Sequence, residues 1–255
     1  RYFKDDICLS NNQINSWFDL AWNSKASMTD FDHETSTTDY HTALQSLMTT
    51  YAWMGMSFEN LGKDASGLYD IFAYHISKNL WSLETGMKRP KIIFIGCQHG
   101  FEKGGAFSLF YFVKFLIYNW KTNPILYNIY TSYDISFIPI VNPWGWNKTL
   151  DNPSTGYEVE RLNYNGVDLN NNYDTTPLQP EQTIVKDFIE ANKDTAVFFA
   201  DLHTNGATIT NSNFAIKNWL SIDSDVMNLN KVRNLAFKWS TFFSQNVDVK
   251  IRNQI

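Results

Sequence analysis

The run Lys91-Ile-Ile-Phe-Ile-Gly-Cys-Gln-His99-Gly-Phe-Glu102 constrains this chain more than any other stretch. Four apolar residues, three of them the β-branched isoleucine, lead into a glycine, which is the composition of a buried strand that stops abruptly. His99 and Glu102 follow at once, three positions apart. A strand ending there carries an imidazole and a carboxylate to the edge of a sheet, where both can turn toward one cation. Zinc suits that pair, because neutral imidazole and carboxylate are among its usual ligands and three protein ligands leave one coordination position open. The same spacing also suits a solvated helix face, so the rest of the chain has to decide.

Of the 255 residues, 44% are hydrophobic, 16% aromatic and only 18% charged, which is ample material for a packed core and excludes a disordered chain. The net charge of -5, with no block of Lys or Arg, argues against general nucleic-acid binding. No apolar run reaches membrane-spanning length without polar interruption. Arg1-Tyr-Phe-Lys-Asp-Asp has neither an initiator methionine nor a signal-sequence pattern, so the start reads as a cut or processed end. Of the two cysteines, Cys97 reads as a small buried hydrophobe, and a pairing with Cys8 stays open.

Residues 1–37 are polar and aromatic and read as an arm or linker, leaving 38–255 as one domain. A helix is predicted from a cap at Thr38 or Asp39, with Leu44, Leu47, Met48 and Tyr51 on its inner face. Met56–Asn60 and Leu68–Ile76 read as a hairpin around Gly62–Gly67, with His75 as a structural or surface histidine. Gly104–Trp120 is apolar almost all round and predicts a helix buried against the sheet, its glycines keeping backbone close to His99 and Glu102. Asp134–Val141 predicts a strand closed by a turn at Asn142-Pro-Trp-Gly-Trp146. Pro180 opens a helix with Ile184, Val185, Phe188 and Ile189 inward, and Thr195–Asp201 is a strand ending in Asp201-Leu-His203. A helical stripe from Val226 to Phe243 and a strand-like run at Val247–Ile251 follow. Strands and helices alternate without an internal repeat, which predicts a layered α/β domain.

Two strands thus end in histidine, and His99, Glu102 and His203 make a two-His, one-Glu set, the set found in carboxypeptidase A. From about residue 40 onward the chain resembles the zinc carboxypeptidase family. The landmarks run in order: the hairpin with Gly62-Lys63, His99-Gly-Phe-Glu102, Ile140-Val-Asn-Pro-Trp-Gly145, Gly166-Val-Asp-Leu-Asn170, and Asp201-Leu-His203. Asp201-Leu-His-Thr204 is also similar to the related desuccinylase and aspartoacylase branch, which removes acyl groups from amino acids.

The resemblance implies a three-layer α/β/α fold with a mixed, twisted central sheet, and zinc held by His99, Glu102 and His203. It implies that Arg161, nine residues before Asn170, polarises the scissile carbonyl, and that Asn170 and its neighbour Asn171 bind substrate. Read without the family, Arg161 is a surface arginine paired with Glu158 or Glu160, and Asn170 is a turn residue. Asp201 either orients His203 or caps the strand end.

Two departures shape the expected activity. Where the family has an arginine after the asparagine, this chain has Asn171, an amide that brings no charge to a terminal carboxylate. No glutamate occurs after Glu190, so the family's late general base is expected beyond Ile255, or else the domain is inactive. The function expected is zinc-dependent hydrolysis of an amide or peptide bond, on a peptidoglycan-type peptide or a small acylated amino acid. The alternatives are an inactive binding module of the same fold, or a component of a larger assembly such as a phage tail or cell-surface structure.

Overall fold

The computed structural model describes residues 35–78, 88–151, 161–171, 173, 177–205 and 217–221. The predicted elements at 226–243 and 247–251, most of the 1–37 arm, and Cys8 lie outside these residues. Six of the described segments are strands of one mixed sheet: β1 (Met56–Lys63), β2 (Asp70–Ile76), β3 (Lys91–Gly96), β4 (Asp134–Ile138), β5 (Ala196–Asn205) and β6 (Lys217–Ser221). Their spatial order is β1-β2-β4-β3-β5-β6. The middle of the sheet, β4-β3-β5, is parallel, while β1, β2 and β6 join antiparallel. Among the described residues five α-helices accompany it: α1 (Thr37–Thr50), α2 (Gly104–Asn119), α3 (Pro124–Ser132), α4 (Pro143–Asp151) and α5 (Pro180–Asn192).

Period-two alternation in the strands sends side chains into two separate cores. Tyr74, Ile76, Ile135 and Phe137 pack with Leu44 and Met48 of α1, Leu109, Val113 and Leu116 of α2, and Tyr130 of α3. On the opposite face Ile71, Ala73, Ile93, Ile95 and Ile138 meet Val185 and Phe188 of α5. The sheet is therefore the middle of three layers, as expected.

Several expectations need correction. Asn142–Trp146 is a helix start rather than a turn: the Asn142 side chain accepts from the Gly145 N–H at 2.9 Å and Pro143 occupies the first helical position. Asn and Pro serve both structures, and composition alone does not separate them. Helix α1 begins at Thr37 with Ser36 as its cap, one residue before the expected domain edge. The segment ahead of α1 is tied to α4, since Trp146 donates to the Thr35 carbonyl at 2.8 Å and Thr37 exchanges hydrogen bonds with Asn147. Strand β4 stops at Ile138, just before Pro139, which has no N–H to give a ladder. Strand β5 runs past His203 to Asn205 because β6 pairs with it.

His75 is structural, and it has partners the sequence did not suggest. Its ring bridges β1 and β4, with Nδ1 2.9 Å from Ser136 Oγ and Nε2 3.1 Å from Glu59 Oε1. The trio has the composition of a hydrolytic triad, but Ser136 is only 1% exposed, so no substrate reaches it.

His41 of α1 is sealed between Phe72 and Tyr74 and bonds the Tyr74 hydroxyl through Nδ1 at 2.7 Å. Burial pulls its pKa down to about 3, against a smaller upward pull from Asp70. Since the folded value lies below the ordinary one of about 6.5, the stability from a neutral His41 is complete above that pH and is lost as pH falls toward the folded value. His41→Gln, which does not titrate, should lose less Tm than the parent between about pH 6.5 and 4, as read by thermal denaturation across that range.

Candidate metal centre

Strand β3 ends at Gly96, and Cys97 then takes the left-handed conformation at φ 52°, which turns the backbone out of the sheet. The bend is held by backbone bonds from Val141 to Gly96 (3.0 Å) and from Asn142 to Cys97 (2.9 Å). A tight turn follows, with the Glu102 N–H on the His99 carbonyl at 3.0 Å. His99 and Glu102 therefore face the same way, as their spacing suggested. Burial pushes the Cys97 thiol pKa up, so this free cysteine is packing material and not a nucleophile.

His203 arrives from the neighbouring strand. Parallel pairing sets Gly96 beside Leu202, so the residues just past each partner emerge together. The two imidazole centroids lie 4.9 Å apart, and one ligand atom from each of His99, Glu102 and His203 falls within 4.8 Å of the others. The site is deep, with His99 3% and Glu102 6% exposed. Both glycines that flank it are needed for close approach. A Cβ on Gly105 would sit 2.8 Å from the Leu202 carbonyl oxygen, and one on Gly100 would sit 2.1 Å from the Gly145 carbonyl carbon.

The two histidines are arranged alike. Each turns Nδ1 toward Glu102, His99 at 3.0 Å to Oε1 and His203 at 2.8 Å to Oε2. Each turns Nε2 to an aspartate, His99 to Asp168 Oδ1 at 3.0 Å and His203 to Asp201 Oδ2 at 2.7 Å. An aspartate carboxylate only accepts, so a ring that gives up one proton to bind a cation would keep the other on Nε2 and offer its Nδ1 lone pair to the centre. Two such nitrogens and one carboxylate oxygen are a donor set that fits zinc with a position to spare. Burial alone would lower the His203 pKa, but the Asp201 and Glu102 carboxylates on either side push it up to about 10. Burial would likewise raise Glu102, yet the hydrogen bonds from His203 and His99 hold it below its usual value.

Residues 70–241 match the family model for zinc carboxypeptidase. The chain belongs to the zinc carboxypeptidase family. Zinc is this family's metal, and the donor set of the site is one that could hold it. Mouse carboxypeptidase D is 31% identical over 158 residues, 60% of this chain and 11% of that protein. Mouse carboxypeptidase M is 27% identical over 54% of this chain and 33% of that protein. In structure, carboxypeptidase A from Helicoverpa armigera gives a TM-score of 0.65 at 15% identity over 94% of this chain and 64% of that one. A metallo-carboxypeptidase from Burkholderia cenocepacia gives 0.62 at 17% identity, over 86% of this chain and 54% of that one. These structural likenesses establish the carboxypeptidase fold. The chain thus spans a ninth to a third of these sequence relatives and between half and two thirds of these structures.

Glu158 and Glu160, the partners expected for Arg161, lie outside the described residues; Arg161 reaches the His99 side of the cluster through Asp168. Its Nε and Nη2 lie 2.9 and 2.8 Å from Asp168 Oδ2, while Oδ1 of the same carboxylate holds His99. Burial would raise the Asp168 pKa, but Arg161 and His99 keep it below the usual carboxylate range. Asn170 and Asn171 follow Asp168 with exposed side chains, and their backbone braces the turn: the Asn170 N–H donates to Asp168 Oδ1 at 3.1 Å, and the Asn171 carbonyl accepts from Gln182 at 2.7 Å. Of the two readings of Asp201, the geometry favours the one that orients His203.

Asp168 and Gln98 escaped the sequence reading. Asp168 lies inside the Gly166–Asn170 landmark, but nothing in its local pattern marks it as the partner of a histidine 69 residues away. Gly100→Ala should force the start of α4 away from the His99 turn and cost at least about 2 kcal/mol, the usual penalty of overpacking against rigid backbone. Urea denaturation measures this, and a variant as stable as the parent would contradict the close contact.

Proposed function

We propose that this chain carries the metal site of a zinc-dependent hydrolase that cleaves an amide or peptide bond with water. The observation that carries the reading is the convergence of two aspartate-backed imidazoles and a buried glutamate in a chain of the zinc carboxypeptidase family. His99, Glu102 and His203 are the proposed ligands. When bound, zinc would supply Lewis acidity, polarising a carbonyl and making water a better nucleophile near neutral pH.

The remaining work belongs to the protein. Asp168 and Asp201 hold the imidazole rings in one tautomer and one orientation. Arg161, 39% exposed and anchored on Asp168, offers a fixed cation to the charge that develops on the carbonyl oxygen. Asn170 and Asn171 are the proposed contacts to the portion of substrate beyond the scissile bond, a role that their exposure supports. Since Asn171 adds no charge, the bidentate grip that an arginine would exert on a free terminal carboxylate is missing at that position. This favours a peptidoglycan-type peptide or an acylated amino acid as substrate. Glu102, Asp168 and Asp201 are all engaged with imidazoles, so none of them is assigned as general base. That engagement supports a second reading in which the site holds a peptide without cutting it. Either form could serve within a larger assembly, and no described helix is long and apolar enough to cross a membrane.

Metal analysis of the purified chain should find about one zinc per molecule. His99→Ala and His203→Ala should each abolish it while circular dichroism stays that of a folded protein; a metal-free parent would overturn the reading. Arg161→Ala should keep the zinc and lower kcat/KM on acyl-amino-acid or stem-peptide substrates by about 100-fold or more, as loss of one oxyanion donor does. Stoichiometric peptide binding with no turnover in the parent would favour the binding module.

A further inference from the structure

Gln98 is 2% exposed, and a buried primary amide needs partners at both ends. It has them. Its Nε2 donates to Asp201 Oδ2, and its Oε1 accepts from the Tyr173 hydroxyl at 2.9 Å. The chemistry of the partners allows only this orientation of the amide, because the carboxylate cannot donate and the hydroxyl proton needs an acceptor.

The oxygen of Asp201 that Gln98 holds is the one that receives His203 Nε2. Asp201 Oδ1 has no hydrogen-bond partner among the described residues, so Oδ2 alone sets the angle of that carboxylate. Without Gln98, the carboxylate is free to turn about its terminal torsion, which is broad, and the ring of His203 turns with it. The two halves of the site differ in this respect. Asp168 is braced by the cation of Arg161, which draws charge away from His99, whereas Asp201 is braced by a neutral amide that leaves its charge on His203. A more basic imidazole is a better metal donor.

From this geometry we infer that Gln98, backed by Tyr173, is a positioning residue that aims His203 Nδ1 into the metal centre and strengthens its grip on zinc. The inference rests on the zinc reading above and concerns residues that touch neither metal nor substrate.

The test uses the full chain, with zinc affinity measured by competition against a chromophoric chelator and ligand geometry read from the visible spectrum of the cobalt(II)-substituted protein. Gln98→Leu should weaken zinc by about 10-fold, the lower end of the effect known for residues that orient ligands, and should shift the cobalt bands. Tyr173→Phe should act in the same direction by a smaller factor, and the double variant should be no weaker than Gln98→Leu alone, because Tyr173 works through Gln98. Affinities within about twofold of the parent for both single variants, with unchanged cobalt spectra, would overturn the inference while leaving the zinc site in place. Should Gln98→Leu fail to fold, Tyr173→Phe, which removes one oxygen from a half-buried ring, decides by the same measure. A parent that takes up no zinc overturns this inference together with the function it rests on.

Discussion

The parallel pairing of β3 with β5 is the interaction on which the rest depends. Parallel strands need a long crossover, and here about 100 residues separate the two, so the contact carries a large loop-closure cost before it returns anything. The intervening chain makes it worthwhile by covering both faces of the sheet: α2 and α3 bury one side, and α5 buries the other. Once the register Gly96 opposite Leu202 is set, the His99 turn and His203 emerge side by side. A slip of one residue would send His203 to the opposite face and dismantle the site.

Burying an ionised glutamate beside two histidines is costly unless each polar atom finds a partner, and the local structure is organised to supply them. Glu102 meets one nitrogen of each ring, and each ring meets one aspartate with its far nitrogen. Arg161 on one side and Gln98 on the other then hold those aspartates. The site is thus a set of nested hydrogen bonds, closed by a cation on the His99 side and by a neutral amide on the His203 side, and its rigidity follows from the fact that few of its groups can rotate without losing a partner.

Much of this could be read in the linear chain where the physics is local. The β-branched run before Gly96, the three-residue spacing of His99 and Glu102, and the Asp201-Leu-His203 ending are short-range signals, and all three residues converge as anticipated. The inward face of α5 at Val185 and Phe188 was legible from its periodicity, as was the burial of α2. Errors fell where one composition serves two structures. Asn142-Pro143 opens a helix here because the Asn142 side chain is free to cap it, and His203 sits within β5 because β6 extends the sheet past it. Neither fact has a signature within a few residues of the position concerned.

The sequence by itself determined which residues have ligand chemistry, where the strands and helices that carry them lie, and that the chain forms a layered α/β domain, because these follow from residue type and periodicity over a few turns. Only the tertiary structure decided what stands behind the ligands. Asp168 reaches His99 across 69 positions, Gln98 reaches Asp201 across 103, and Tyr173 reaches Gln98 across 75. Such partnerships are fixed by the order and register of strands and by the paths of the loops between them, and a hydrogen bond at that separation leaves no periodic mark on the chain that makes it.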